Sequence, residues 1–113
     1  MERRDAARIR HMVDAARACQ AFATGRGRGD LESDQMLRFA LIRAVEMIGE
    51  AAGQVSAGLR ADHPEVPWAE MRGMRSRLIH DYFAVDNDLL WKAAVQEVPE
   101  LLGLLHALLE PES

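Results

Sequence analysis

The sequence predicts an all-α protein, an antiparallel bundle of four to five helices in one domain spanning residues 1–113. Two observations carry that expectation. Nearly half of the residues are hydrophobic while only 5% are aromatic, so the core has to be assembled mainly from Leu, Ala, Val, Ile and Met. Apolar side chains also recur at i, i+3 and i+4 through most of the length, and no stretch makes a convincing strand.

Residues 2 to about 23 form the first predicted helix. Ile9, Met12, Val13, Ala16, Cys19, Gln20 and Ala23 share a face, with Arg and Asp residues on the opposite side. The run GRGRGD (25–30) then breaks the pattern and reads as a loop. Its glycines and arginines also allow a phosphate cradle, but the Lys and Ser/Thr of a P-loop are missing.

A second helix is expected from Ser33 or nearby to about residue 58, with Ser33 or Asp34 as its cap. It carries two apolar stripes, one of Leu37, Leu41, Ala44, Ile48, Ala51 and Val55, the other of Met36, Phe39, Ile42, Val45, Gly49 and Gly53. A helix apolar on two sides is usually buried on both. One side is therefore expected to face its own bundle and the other a partner subunit, with Gly49 and Gly53 permitting close approach. Glu46 and Glu50 interrupt the stripes one turn apart. They read either as solvated or Arg-paired structural acids or as groups that orient catalytic arginines. The Glu-x-x-His repeats of a di-iron bundle are absent, so neither metal nor cofactor is expected.

The segment RADHPEVP (60–67) is a connector in which Pro67 can open the next helix, and His63 is expected to be merely exposed. The third helix, from Trp68 to about residue 82, buries Trp68, Met71, Leu78, Ile79 and either Met74 or the stem of Arg75. Asp86 or Asn87 caps a fourth helix through Leu89, Leu90, Trp91, Ala94 and Val95. Pro99 either kinks that helix or opens a short fifth one, whose leucines pack on the bundle and whose His106 reads as structural.

Net charge is −4, which argues against a general polyanion binder. A local cluster can still hold a phosphate, and thirteen of the fourteen basic residues are Arg, Lys92 being the exception. The single Cys19 cannot form an internal disulfide and fits a reducing cytoplasm. No apolar run approaches the length needed to cross a bilayer, and MERRDAARIR looks like charged helix rather than a signal peptide.

Chemistry concentrates in PWAEMRGMRSRLIHDYFAV (67–85), where Arg72, Arg75 and Arg77 precede His80, Asp81 and Tyr82. On an ideal helix Arg75 and His80 stand about 140° apart and about 7.5 Å along the axis, while Tyr82 falls about 20° from Arg75. A second copy of the helix facing the first would make the site more compact, which favours a symmetric dimer. A histidine with an ordinary pKa can do proton work at neutral pH, and an arginine can clamp phosphoryl oxygens. RNA brings its own nucleophile, the 2′-hydroxyl, so these groups suit metal-independent RNA cleavage. Arg-x-x-x-x-His alone also arises by chance, and a lone helical His is more often structural. Ser76 has no nucleophile-elbow context.

The segment MRGMRSRLIHDYFAVD (71–86) resembles the helix-turn region of the HEPN superfamily, specifically the HepT-like toxins of HepT/MntA toxin–antitoxin pairs. The stretch RAVEMIGEAAGQVS (43–56) resembles that family's second-helix signature, and the order of the remaining segments agrees over essentially the whole chain. The resemblance implies a HEPN bundle, a homodimer with Arg–His pairs meeting in a cleft, and metal-independent endoribonuclease activity on tRNA or mRNA. It puts Arg75 and His80 in the catalytic positions, with Ser76, Arg72, Arg77 and Glu46 in support. Tyr82 matches the tyrosine that an MntA-like nucleotidyltransferase antitoxin modifies with AMP. Ser76 stands where the family commonly has Asn, and one turn from His80 its hydroxyl can still orient the imidazole with a shorter reach. The rival reading is a noncatalytic HEPN module that binds nucleotide or docks a nucleotidyltransferase.

Overall fold

A computed structural model describes residues 1–78 and 85–109. Among them the regular elements are all helical: α1 (Arg3–Ala23), α2 (Asp30–Ser33), α3 (Gln35–Ala52), α4 (Ala57–Asp62), α5 (Trp68–Leu78), α6 (Asn87–Lys92) and α7 (Val98–Leu109). Residues Ala93–Glu97 form a π-helical turn joining α6 to α7, and the helical backbone dihedrals on either side make the three one continuous arm. Four long rods result, with α2 and α4 as single-turn links.

Cross-contacts fix the topology. Asp5 at the start of α1 meets Ser56 beyond the end of α3, so α1 and α3 run antiparallel. Glu46 meets Arg75 whereas Gly49 lies against Met71, so α3 and α5 do too. Arg77 reaches Glu97, and Arg17 near the end of α1 donates to Nε2 of His106 on α7 at 3.1 Å. The rods thus close a ring, α1 to α3 to α5 to the arm and back to α1. Inside lie Ile9, Met12, Leu41, Val45, Ile48, Met71, Met74, Leu90, Val98 and Leu105, each nearly or fully excluded from solvent. Cys19 is fully buried as well, and burial pushes its thiol up to about 12, which makes it a packing residue rather than a nucleophile.

The expected helix ends are largely where local chemistry puts them. Asp34 Oδ1 accepts the Leu37 N–H at 3.1 Å and caps α3, and Asp86 Oδ1 accepts the Leu89 N–H at 3.1 Å and caps α6. The GRGRGD run is a loop whose arginines are committed within the chain. Arg26 pairs with Asp30 and Asp34, and Arg28 with Glu32 and Asp88. The hydrogen bond from Arg26 and the amide of Leu37 hold the Asp34 carboxyl below its ordinary range.

Two expectations are corrected and a third is refined. The second helix does not run on to residue 58: it stops at Ala52, and Ser56 starts α4 by accepting the Leu59 N–H at 3.2 Å. Asp5 causes the interruption's geometry, because its carboxylate takes both the Ser56 amide (2.9 Å) and hydroxyl (2.6 Å) while itself only 5% exposed. Those two bonds hold the Asp5 carboxyl below its ordinary range, so this acid does not belong on the solvent face of α1. The expected helix opening beside Pro99 is found as α7, which begins at Val98, but it is joined to α6 through a π turn. Lacking an N–H, Pro99 cannot donate to the carbonyl four residues back, and the turn before it widens so that the Val98 N–H reaches the Ala93 carbonyl instead. Finally, Gly49 is used inside the chain. A Cβ there would come within 2.9 Å of the Met71 carbonyl oxygen, so glycine is what lets α5 lie against α3. Of the second stripe, Val45 is fully buried, while Met36 and Phe39 are 83% and 55% exposed.

No helix among the described residues is long and apolar enough to cross a membrane.

Candidate active site

α5 is pinned at its start and left open along its flanks. Trp68 is buried and its indole N–H donates to the His63 carbonyl at 2.9 Å, fixing the helix entrance just after Pro67. Met71, Met74 and Leu78 then form the buried stripe. With that stripe inward, helical spacing directs Arg72 and Arg75 toward one flank and Arg77 toward the other, while Ser76 points outward.

On the α3 flank, Arg75 Nε donates to Glu46 Oε2 at 3.0 Å. The arginine side chain is 62% exposed and the glutamate 23%, so the carboxylate is the fixed partner and the guanidinium keeps its remaining N–H donors toward solvent. Glu46 is thus an Arg-paired acid, a pairing that either reading of it allows. Glu50, one turn on, holds Arg43 at 3.2 Å. Arg72 lies beside the end of α3, its Nε 3.6 Å from where a Cβ of Gly53 would sit. Neither the Arg72 nor the Ser76 side chain has a hydrogen bond or ion pair to another described residue.

On the other flank Arg77 Nη1 lies 3.8 Å from Glu97 Oε2 on the π turn. Arg77 and Arg75 are thus two residues apart in sequence and on different sides of α5, and the structure does not bring Arg77 to the Glu46 pair. His80 and Tyr82 lie outside the described residues. The flanking positions are tied together, since the Asp86 N–H donates to the Leu78 carbonyl at 2.9 Å.

Sequence reasoning did not single out Arg43, whose pairing with Glu50 at i, i+7 spacing was available as a signal. It also assigned Gly49 to a different neighbour, because a glycine marks a close approach without saying which helix approaches.

Comparison with known proteins decides the family. The profile of the family described as "Ribonuclease HepT-like" matches residues 12–108. The chain belongs to the HepT-like ribonuclease family. Within it, the protein named probable ribonuclease HepT of Thermococcus cleftensis is 46% identical over 74 residues, 66% of this chain and 67% of that protein. A Methanocaldococcus jannaschii protein named "Putative RNase MJ1380" is 46% identical over 69 residues, 61% of this chain and 63% of its own length. Another, from Caldanaerobacter subterraneus subsp. tengcongensis, is 39% identical over 83 residues, 74% of each chain. No solved structure matches the chain.

Proposed function

We propose that this protein is the toxin of a toxin–antitoxin pair and cleaves RNA without a metal ion, using Arg75 and His80 at a cleft between two copies of the chain. The observation that carries the reading is Arg75, held by Glu46 with its outer N–H groups free, in a helix of a HepT-like chain that leads toward His80. One histidine removes the proton from a ribose 2′-hydroxyl, and that oxygen attacks the adjacent phosphorus. The P–O5′ bond breaks as the second histidine of the pair gives a proton to the leaving 5′-oxygen. The products carry a 2′,3′-cyclic phosphate and a free 5′-hydroxyl. Arg75 neutralises charge on the phosphoryl oxygens, the role a bidentate guanidinium suits best. Ser76, four residues before His80 in the sequence, steadies the imidazole.

Regulation follows from Tyr82. Its hydroxyl attacks the α-phosphorus of ATP on an MntA-like nucleotidyltransferase, pyrophosphate leaves, and the new adenylate sets bulk and negative charge beside the cleft, repelling RNA.

Purified wild-type, Arg75→Ala and His80→Ala proteins incubated with RNA and a chelator test the chemistry. Chelator-resistant cleavage lost in both variants supports the enzyme; equal residual cleavage in all three points to contamination and to a docking module instead. Incubation with ATP, Mg²⁺ and a nucleotidyltransferase encoded beside this chain should add the mass of AMP to a Tyr82 peptide. Labelling that survives Tyr82→Phe would remove that assignment.

A further inference from the structure

We infer that the cleft between α1 and α3 is a phosphate subsite for single-stranded RNA running on from the scissile bond, an assignment that rests on the ribonuclease reading. The cleft holds about 280 Å³ and is lined by Arg8 and His11 from α1, by Arg43, Met47 and Glu50 from α3, and by Gln54 in the turn after α3. The Nε of Arg8 is buried there without an acceptor among the described residues. No hydrogen bond or ion pair to a described residue engages the guanidinium of Arg8, the imidazole of His11 or the amide of Gln54. The covered Nε cannot itself meet a ligand, but with no partner among the described residues for the rest of the guanidinium, Arg8 brings an uncompensated cation and its outer N–H donors to the cleft.

The charge fits an anion. Two guanidinium groups face one carboxylate, and the Arg43–Glu50 pair is 59% exposed on both sides, a contact that phosphate oxygens can replace at little cost. Planar guanidinium forks match phosphate geometry. Met47, 41% exposed, offers an apolar rim on which a sugar or base can lie.

Continuity with Arg75 argues for a nucleic-acid strand rather than free phosphate. Arg43, Glu46 and Glu50 share one side of α3, Glu50 holding Arg43 and Glu46 holding Arg75. The two carboxylates stand one turn apart, about 6 Å along the helix axis. Arg75, Arg43 and Arg8 therefore form a band of guanidinium groups crossing α5, α3 and α1 on one side of the bundle, and successive phosphates of one strand can follow it.

Fluorescence anisotropy with a 2′-O-methyl RNA dodecamer tests this, because blocking the attacking hydroxyl separates binding from cleavage. In the full-length protein Arg8→Gln and Arg43→Gln should each weaken binding about fivefold to tenfold and lower the salt slope by about one. Arg10→Gln removes the same charge from the exposed opposite side of α1 and should change binding less than about twofold. Arg43 is exposed, so its variant reports even if Arg8→Gln disturbs folding. Wild-type binding by both cleft variants overturns the subsite, as does an equal loss in all three. If inorganic phosphate raises the melting temperature through Arg8 while RNA binding ignores it, the site takes free phosphate and the RNA assignment fails. A protein that binds this RNA through Arg8 and Arg43 but cuts no RNA keeps the subsite and removes the ribonuclease reading. Cleavage with no effect of either cleft variant on binding does the reverse.

Discussion

The two flanks of α5 present arginines in opposite circumstances. Arg75 is anchored by a single Nε bond to a mostly covered Glu46 and keeps most of its surface in water. Arg77 spans to Glu97 on the arm at 3.8 Å, both partners partly covered, and forms the wall between two clefts that share Met74, Arg77 and Glu97. Both bridge two rods, but Arg75 is held at one edge by a close bond with the rest of its guanidinium in water, whereas Arg77 lies loosely against Glu97 with its stem between the two clefts. The same residue type, two positions apart, is thus set on opposite flanks by helical azimuth, and the proposed function uses only the Arg75 flank for RNA.

The sharpest way to break that contrast is activity. Arg75→Ala should lower RNA cleavage by about 10²- to 10³-fold, the loss usual for removing one donor to a developing phosphoryl or oxyanion charge. Arg77→Ala should change it by only about a few-fold, since a group remote from the developing charge contributes little to its stabilisation. Comparable losses from the two, measured as kcat/KM on one RNA, would dissolve the distinction.

The next effect concerns what holds the Arg75 flank in register. Gly49→Val places a branched side chain where even a Cβ would meet the Met71 carbonyl at 2.9 Å. Backbone cannot rotate away as a side chain can, so α5 must lift from α3 at a cost of about 1–3 kcal/mol. Thermal melting should drop by roughly 5–20 °C. Cleavage should fall with it, because Glu46 and Arg75 sit on the two helices being separated. Unchanged melting would mean the helices have room that the geometry denies.

Much of this was legible in the sequence and some was not, for identifiable reasons. The periodic stripes announced the rods, Asp34 and Asp86 announced caps, and the notion that Glu46 orients an arginine needed only Glu46 and the nearby arginines. Those are local signals. The break before Ser56 was not legible, because the partner that fixes it, Asp5, lies 51 residues earlier. The π turn was half legible: Pro99 forbids an ordinary turn, but whether a helix kinks, ends or widens depends on the packing of Ala93, Ala94 and Val98, all buried. Gly49 advertised a close approach whose partner only the fold could name.

Asp5 gives a smaller, pH-dependent effect, and contrasts a buried acid with the half-open Glu46. Asp5→Ala removes two hydrogen bonds to Ser56 and should lower stability by about 1–2 kcal/mol at neutral pH. Its carboxyl is depressed in the folded chain, so its contribution is present above the unfolded value of 3.8 and is lost as pH falls through the lower folded value. Denaturation of wild type and variant should therefore converge in acid. A gap that stays constant down to the acid end would mean that side-chain size, not ionisation, matters at this position. Cleavage at neutral pH should survive, since the Asp5 carboxylate is taken up by Ser56 and bonds neither Glu46 nor Arg75.

The smallest expected effect closes the comparison on the Arg77 flank. Arg77 is 49% exposed and Glu97 33%, and the 3.8 Å separation makes this a loose pair that water and salt screen well, so Arg77→Ala should cost less than about 1 kcal/mol. What remains is the aliphatic stem, which covers Met74 and the edge of the cleft toward Leu101. Arg77→Met keeps the stem and removes the charge. If the flank is architectural, Arg77→Met should recover most of the stability lost by Arg77→Ala, and neither variant's loss should grow at low salt. A deficit that Met fails to restore and that deepens as salt is withdrawn would instead make the charge itself the contribution, and would place Arg77 closer in kind to Arg75 than its position on α5 implies.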